Sequence, residues 1–95
     1  MQETTVEKRL KKLVEGAGGR CVKVMPVVAG TPDRLVMLPV GRMYWIETKA
    51  PDGRLRPVQR VWHARALAMG IVVTVLSSTE AVNKWAAENI PKTTA

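Results

Sequence analysis

Between Asp33 and Lys49, two β-patterned runs, R-L-V-M-L and R-M-Y-W-I-E-T-K, are separated only by Pro39-Val40-Gly41. A link this short directs them into an antiparallel hairpin. Leu38-Pro39-Val40-Gly41 fits a type I turn with proline second and a left-handed glycine last, the three-residue loop that carries a G1 bulge. That loop pairs Leu38 with Arg42. Counting outward sets Leu35 opposite Trp45 and Asp33 opposite Glu47. Directly opposed residues share a sheet face, with Cβ atoms about 4.5–5.5 Å apart, and Lys49, two residues past Glu47, belongs to that face too. A two-residue loop would instead set Asp33 against Thr48, so the convergence depends on Gly41.

The flanking sequence supplies the frame. Val6, Leu10, Leu13 and Val14 recur at helical spacing, predicting an amphipathic helix over about 3–16 that ends at Gly16 and Gly18-Gly19. R-C-V-K-V-M, residues 20–25, alternates as a strand, and Pro26 to Pro32 is a loop. After the hairpin, Ala50-Pro51-Asp52-Gly53 is a turn and Pro57 opens a helix over 57–69, with Val58, Trp62, Ala66 and Met69 along one face. Ile71 to Leu76 is an unbroken apolar run, expected to be a strand buried on both faces. Ser77-x-x-Glu80 reads as a capping box for a last helix, with Val82, Trp85 and Ala86 inward, and Pro91 to Ala95 reads as a frayed tail. The order is α-β-β-β-α-β-α. It describes one small α/β (α+β) domain over 1–95, a mixed central sheet of about four strands flanked by helices.

Charge narrows the partners. Fifteen Lys and Arg against eight Asp and Glu give a net charge of +7, a field that favours polyanions, nucleic acid first. Cys21 is the single cysteine, which excludes an intramolecular disulfide. One thiol with one histidine also cannot build a zinc site. With no apolar run of about 18 residues and no signal-peptide pattern, a cytoplasmic protein without a membrane span is expected.

Two facing carboxylates repel, and a fold keeps such a pair when a cation or a shared proton relieves it. Carboxylate oxygens without His or Cys suit a hard ion, Mg²⁺ or Mn²⁺, which retains waters and binds substrate phosphate. A bound water of lowered pKa is a nucleophile for phosphodiester hydrolysis. Lys49 is placed to orient that water or to stabilise charge developing on the phosphate. The plainer alternative is a surface ion pair among Asp33, Glu47 and Lys49, worth about 0–1 kcal/mol. It accounts less well for Pro32 before Asp33 and for the basic surroundings.

Pro32-Asp33 followed by Glu47-Thr48-Lys49 resembles the PD-(D/E)xK nuclease signature. The wider pattern is more specific: Gly30-x-Pro32-Asp33-Arg34, then Trp45-Ile46-Glu47-x-Lys49-Ala50-Pro51-x-Gly53-x-Leu55-x-Pro57-x-Gln59, with Gly70 before an apolar strand and Ser77 after it. Over nearly its whole length the chain resembles the VRR-Nuc (virus-type replication–repair nuclease) domain, in the compact stand-alone form associated with phages and bacteria. The resemblance implies metal ligation by Asp33, Glu47 and the Thr48 backbone carbonyl, with Lys49 as catalytic lysine and Gln59 organising the site. An acidic residue on the first helix often completes such sites, and Glu7 is the candidate; Thr4-x-x-Glu7 also reads as a capping box, and both readings stand. The implied activity is a Mg²⁺- or Mn²⁺-dependent DNA endonuclease leaving a 3′-hydroxyl and a 5′-phosphate. It implies a homodimer, and branched or four-way-junction DNA as substrate where two sites act together. Among the arginines, Arg34, Arg54, Arg56 and Arg60 are the candidate phosphate contacts. The rival functions are a non-catalytic nucleic-acid-binding protein and a subunit of a nuclease complex. His63, four residues after Gln59, reads as structural or substrate-facing, and Trp62 as core or dimer interface.

Overall fold

The computed structural model describes residues 1–92. Elements follow in the order α1 (Glu3–Gly16), β1 (Arg20–Lys23), β2 (Arg34–Leu38), β3 (Arg42–Thr48), α2 (Pro57–Ala68), β4 (Val73–Leu76) and α3 (Thr79–Asn89). The end of the tail, residues 93–95, lies outside the described residues. The strands form one sheet in the order β1-β2-β3-β4. Its first two pairings are antiparallel and the last, reached through α2, is parallel. None of the described helices is long and apolar enough to cross a membrane.

The hairpin register is the expected one, with Leu38 paired to Arg42 and Leu35 to Trp45. The turn that sets it is different. Val40 has φ +69° and Gly41 φ +75°, whereas a type I turn needs φ near −90° at its third residue. A positive φ there is a type II requirement, met here by an exposed valine. The register survives because loop length, three residues, decides it.

Alternation along the strands then divides the side chains. Val36, Leu38, Ile46 and Leu76 point to one face, where they meet Val6, Leu10 and Val14 of α1 and Val82 and Trp85 of α3 in the core. Tyr44 packs edge-on against Trp85, with ring centroids 5.3 Å apart. Cys21 is buried at the margin of this core. On the opposite face lies α2, where Trp62 meets Trp45 at 5.6 Å.

That partial cover corrects two expectations. β4 is not buried on both faces: it lies at a sheet edge and Val75 is exposed, as are Ile71 and Val72 before it. The Val58–Met69 face of α2 is likewise not fully packed, and with Val28, Trp45 and Ile71 it lines an apolar groove of about 640 Å³. Two caps also shift. Ser78, not Ser77, opens α3, its hydroxyl accepting from Ala81 N–H at 3.0 Å. The N-cap of α1 is Gln2 without a side-chain cap, so Glu7 does not close a capping box with Thr4.

Candidate metal and nuclease centre

Asp33, Glu47, Thr48 and Glu7 meet where the β2–β3 ladder stops. Regular pairing ends at Arg34–Ile46. Successive residues on one edge of a strand are two apart, so Thr48 N–H is next in line for β2. Asp33 takes it through its side chain instead, Oδ1 accepting at 2.8 Å, while its main-chain carbonyl accepts from Val24 N–H of the neighbouring chain segment. The regular ladder thus stops one pair short of Asp33 and Glu47, although the two carboxyl groups remain neighbours. Asp33 sits at the sheet margin, where groups from both faces reach it.

From the α1 side come Glu7 and Thr48. Thr48 is fully buried, and its hydroxyl bonds Asp33 Oδ2 and Glu7 Oε1, the latter at 3.4 Å. The second Glu7 oxygen is 3.2 Å from the Arg34 guanidinium. Arg34, expected to contact DNA, is thus turned inward and braces Glu7. One helical turn before Glu7, Glu3 adds another carboxylate, and ligand oxygens of Glu3, Glu7 and Asp33 lie within 4.8 Å of one another. Residues at i and i+4 share a helix face, so the spacing could have pointed to Glu3; its exposed place at the chain's start masked it.

From the α2 side come Glu47, Lys49, Gln59 and His63. Glu47 is 3% exposed. Burial and then the neighbouring Asp33 charge push its pKa up to about 7, against the opposing pull of Lys49. Its Oε1 lies 3.4 Å from His63 Nε2, and both atoms are buried without a hydrogen-bond partner. His63 is held below its usual pKa by burial first and the Lys49 charge second. Gln59 is buried and accepts Arg56 N–H at 2.8 Å, closing the first turn of α2. Arg54, Arg56 and Arg60 are exposed around that same helix start.

Asp33 is brought to α2 by a close backbone approach. Gly30 has φ +91°, and a Cβ at this position would overlap the Val58 carbonyl. Only glycine meets both conditions, and Pro32, fully buried, follows two residues later.

A hard divalent ion fits this donor set. Carboxylate oxygens of Glu3, Glu7 and Asp33 lie within 4.8 Å of one another, and the Asp33 charge bears on the buried Glu47 carboxylate. A buried carboxylate among like charges is costly, and either a proton, which Glu47 keeps up to about pH 7, or a cation relieves it.

No family model matches the chain. Its relatives are nonetheless informative. It is 42% identical over 81 residues to "Putative nuclease p44" of Acyrthosiphon pisum secondary endosymbiont phage 1, covering 84% of this chain and 87% of that one. A solved structure described as "VRR_NUC domain" superposes with a TM-score of 0.81 at 32% identity, covering 94% of this chain and 97% of the other. The chain belongs to the VRR-Nuc family. Membership accounts for the α-β-β-β-α-β-α order around a mixed sheet.

Proposed function

We propose that this VRR-Nuc chain is a DNA endonuclease that depends on Mg²⁺ or Mn²⁺ and hydrolyses phosphodiester bonds. The observation that carries it is the convergence of the Glu3, Glu7 and Asp33 carboxylates at the sheet end, with the buried Glu47 carboxylate beside Asp33. Asp33, Glu47 and the Thr48 carbonyl would hold the ion, with Glu7 completing the set from α1. When bound, the ion supplies Lewis acidity and lowers the pKa of a coordinated water. The protein's own groups do the rest. Lys49, whose charge reaches Glu47 and His63, stabilises negative charge developing on the scissile phosphate. Thr48 holds Asp33 in place by donating both its N–H and its hydroxyl to that carboxylate, with Glu7 Oε1 at 3.4 Å from the same hydroxyl. Gln59 fixes the helix start that faces the centre, and the exposed Arg54, Arg56 and Arg60 neutralise DNA phosphates.

The active form is a homodimer that presents two such centres, and branched DNA is its preferred substrate. The open apolar groove on α2 supports this, since a second copy would cover it. A cleavage panel of duplex, single-stranded, flap and four-way DNA with Mg²⁺, Mn²⁺ or chelator tests the reading. Cutting should require metal and disappear in Asp33→Ala, Glu47→Ala and Lys49→Ala while DNA binding persists. Binding without cutting under every metal condition would leave a nucleic-acid-binding protein instead.

A further inference from the structure

We propose that His63 is a positioning residue for the metal centre, its Nε2–H donating to Glu47 Oε1 and fixing the orientation of that carboxylate for the cation. The inference rests on the metal-site reading above and adds a residue to it. Glu47 Oε1 and His63 Nε2 are 3.4 Å apart, in side chains 3% and 15% exposed, and neither atom has another hydrogen-bond partner. Lys49, the other cation on this face, forms no ion pair within 4.0 Å among the described residues.

The helix carrying His63 is pinned on several sides, so the contact is built in. Gln59, one turn earlier, is buried and closes the helix start. The preceding residue, Trp62, packs on Trp45, two residues before Glu47 on the same sheet face. The loop backbone at Gly30 abuts Val58. Metal-ligating carboxylates are commonly held by a second hydrogen bond from the protein, and loss of such a partner typically costs about 10–100-fold in metal affinity or activity. Donation does not depend on titration, because the imidazolium and one neutral tautomer both carry the Nε2–H.

Calorimetric titration of Mn²⁺ into the purified full chain, without DNA, tests this. His63→Ala should weaken Mn²⁺ binding by about 10–100-fold. His63→Gln, whose amide can donate from a similar reach, should recover most of that loss. Near-UV circular dichroism from the Trp45–Trp62 pair verifies that α2 remains docked in each variant. Unchanged affinity in His63→Ala overturns the proposal, as does an equal loss in His63→Ala and His63→Gln, which would mark a packing role alone. If the unsubstituted chain binds Mn²⁺ no better than Glu47→Ala, the metal-site reading itself fails, a result distinguishable from the other two.

Discussion

At the residue scale, Glu47 links chemistry to stability. Its folded pKa is about 7 against an ordinary 4.5, so between those values the native state holds a proton that the unfolded chain has released. Stability from this group is fully present below about pH 4.5 and is lost as pH rises through about 7. The loss is about 1–3 kcal/mol, and it falls on the metal-free protein. His63, shifted down, contributes with the opposite sign: its share is gained as pH rises through its ordinary range near 6.5. Urea melts of the metal-free protein at pH 4.5, 6 and 8 should therefore show a smaller pH-dependent loss in Glu47→Gln than in the unsubstituted chain. Added Mg²⁺ should restore stability at pH 8 only where Glu47 is intact.

Arg34 illustrates how a side chain's partner redirects its role. As one of fifteen basic residues it looks like a phosphate contact, yet it is bound to Glu7 and nearly buried. Replacing Arg54 or Arg56 by Ala should each lower the slope of log affinity against log salt by about 1. Arg34→Ala should leave that slope unchanged and reduce cleavage instead, because Glu7 loses its brace. Fluorescence anisotropy on labelled DNA over a salt series, alongside cleavage rates, separates the two kinds of arginine.

At the scale of elements, two loop positions carry the site. Gly30→Ala meets both a strained φ and the Val58 carbonyl, so it should cost about 2–4 kcal/mol and abolish cleavage by displacing Asp33 from its place beside Thr48. Val40 is the reverse case: an exposed valine at φ +69°. Val40→Gly should stabilise the chain by about 0.5–1 kcal/mol, read as a higher urea midpoint at unchanged slope. These two loops also mark the limit of what was legible beforehand. Helical spacing in Val6, Leu10 and Val14 and the three-residue link after Leu38 were sufficient for the element order and the register. They could not reveal that the ladder ends at Arg34 and that the Asp33 carboxylate accepts the Thr48 N–H in place of a backbone partner, since side-chain capping of a sheet leaves no periodic trace. For the same reason the Thr48 hydroxyl and the His63–Glu47 contact went unassigned: each depends on how α1 and α2 dock on opposite faces.

At the scale of the whole molecule, the two faces of the sheet are unequally covered. α1 and α3 seal one with a continuous core, whereas α2 leaves an apolar groove beside Trp45 and Trp62. This exposed aliphatic surface is what the proposed dimer would bury. If a second copy occupies the groove, Val61, half-exposed on its wall, is the residue to charge. Val61→Glu should shift sedimentation from dimer to monomer while circular dichroism and Mn²⁺ affinity stay unchanged, because Val61 lies on the groove side of α2 and Gln59 and His63 face the centre. Paired cuts on a four-way junction should fall well below single nicks on a simple flap in that variant, since only the first needs two centres at once. A protein that is monomeric before substitution, or a Val61→Glu variant that remains dimeric, would place the interface elsewhere and leave the groove without this role.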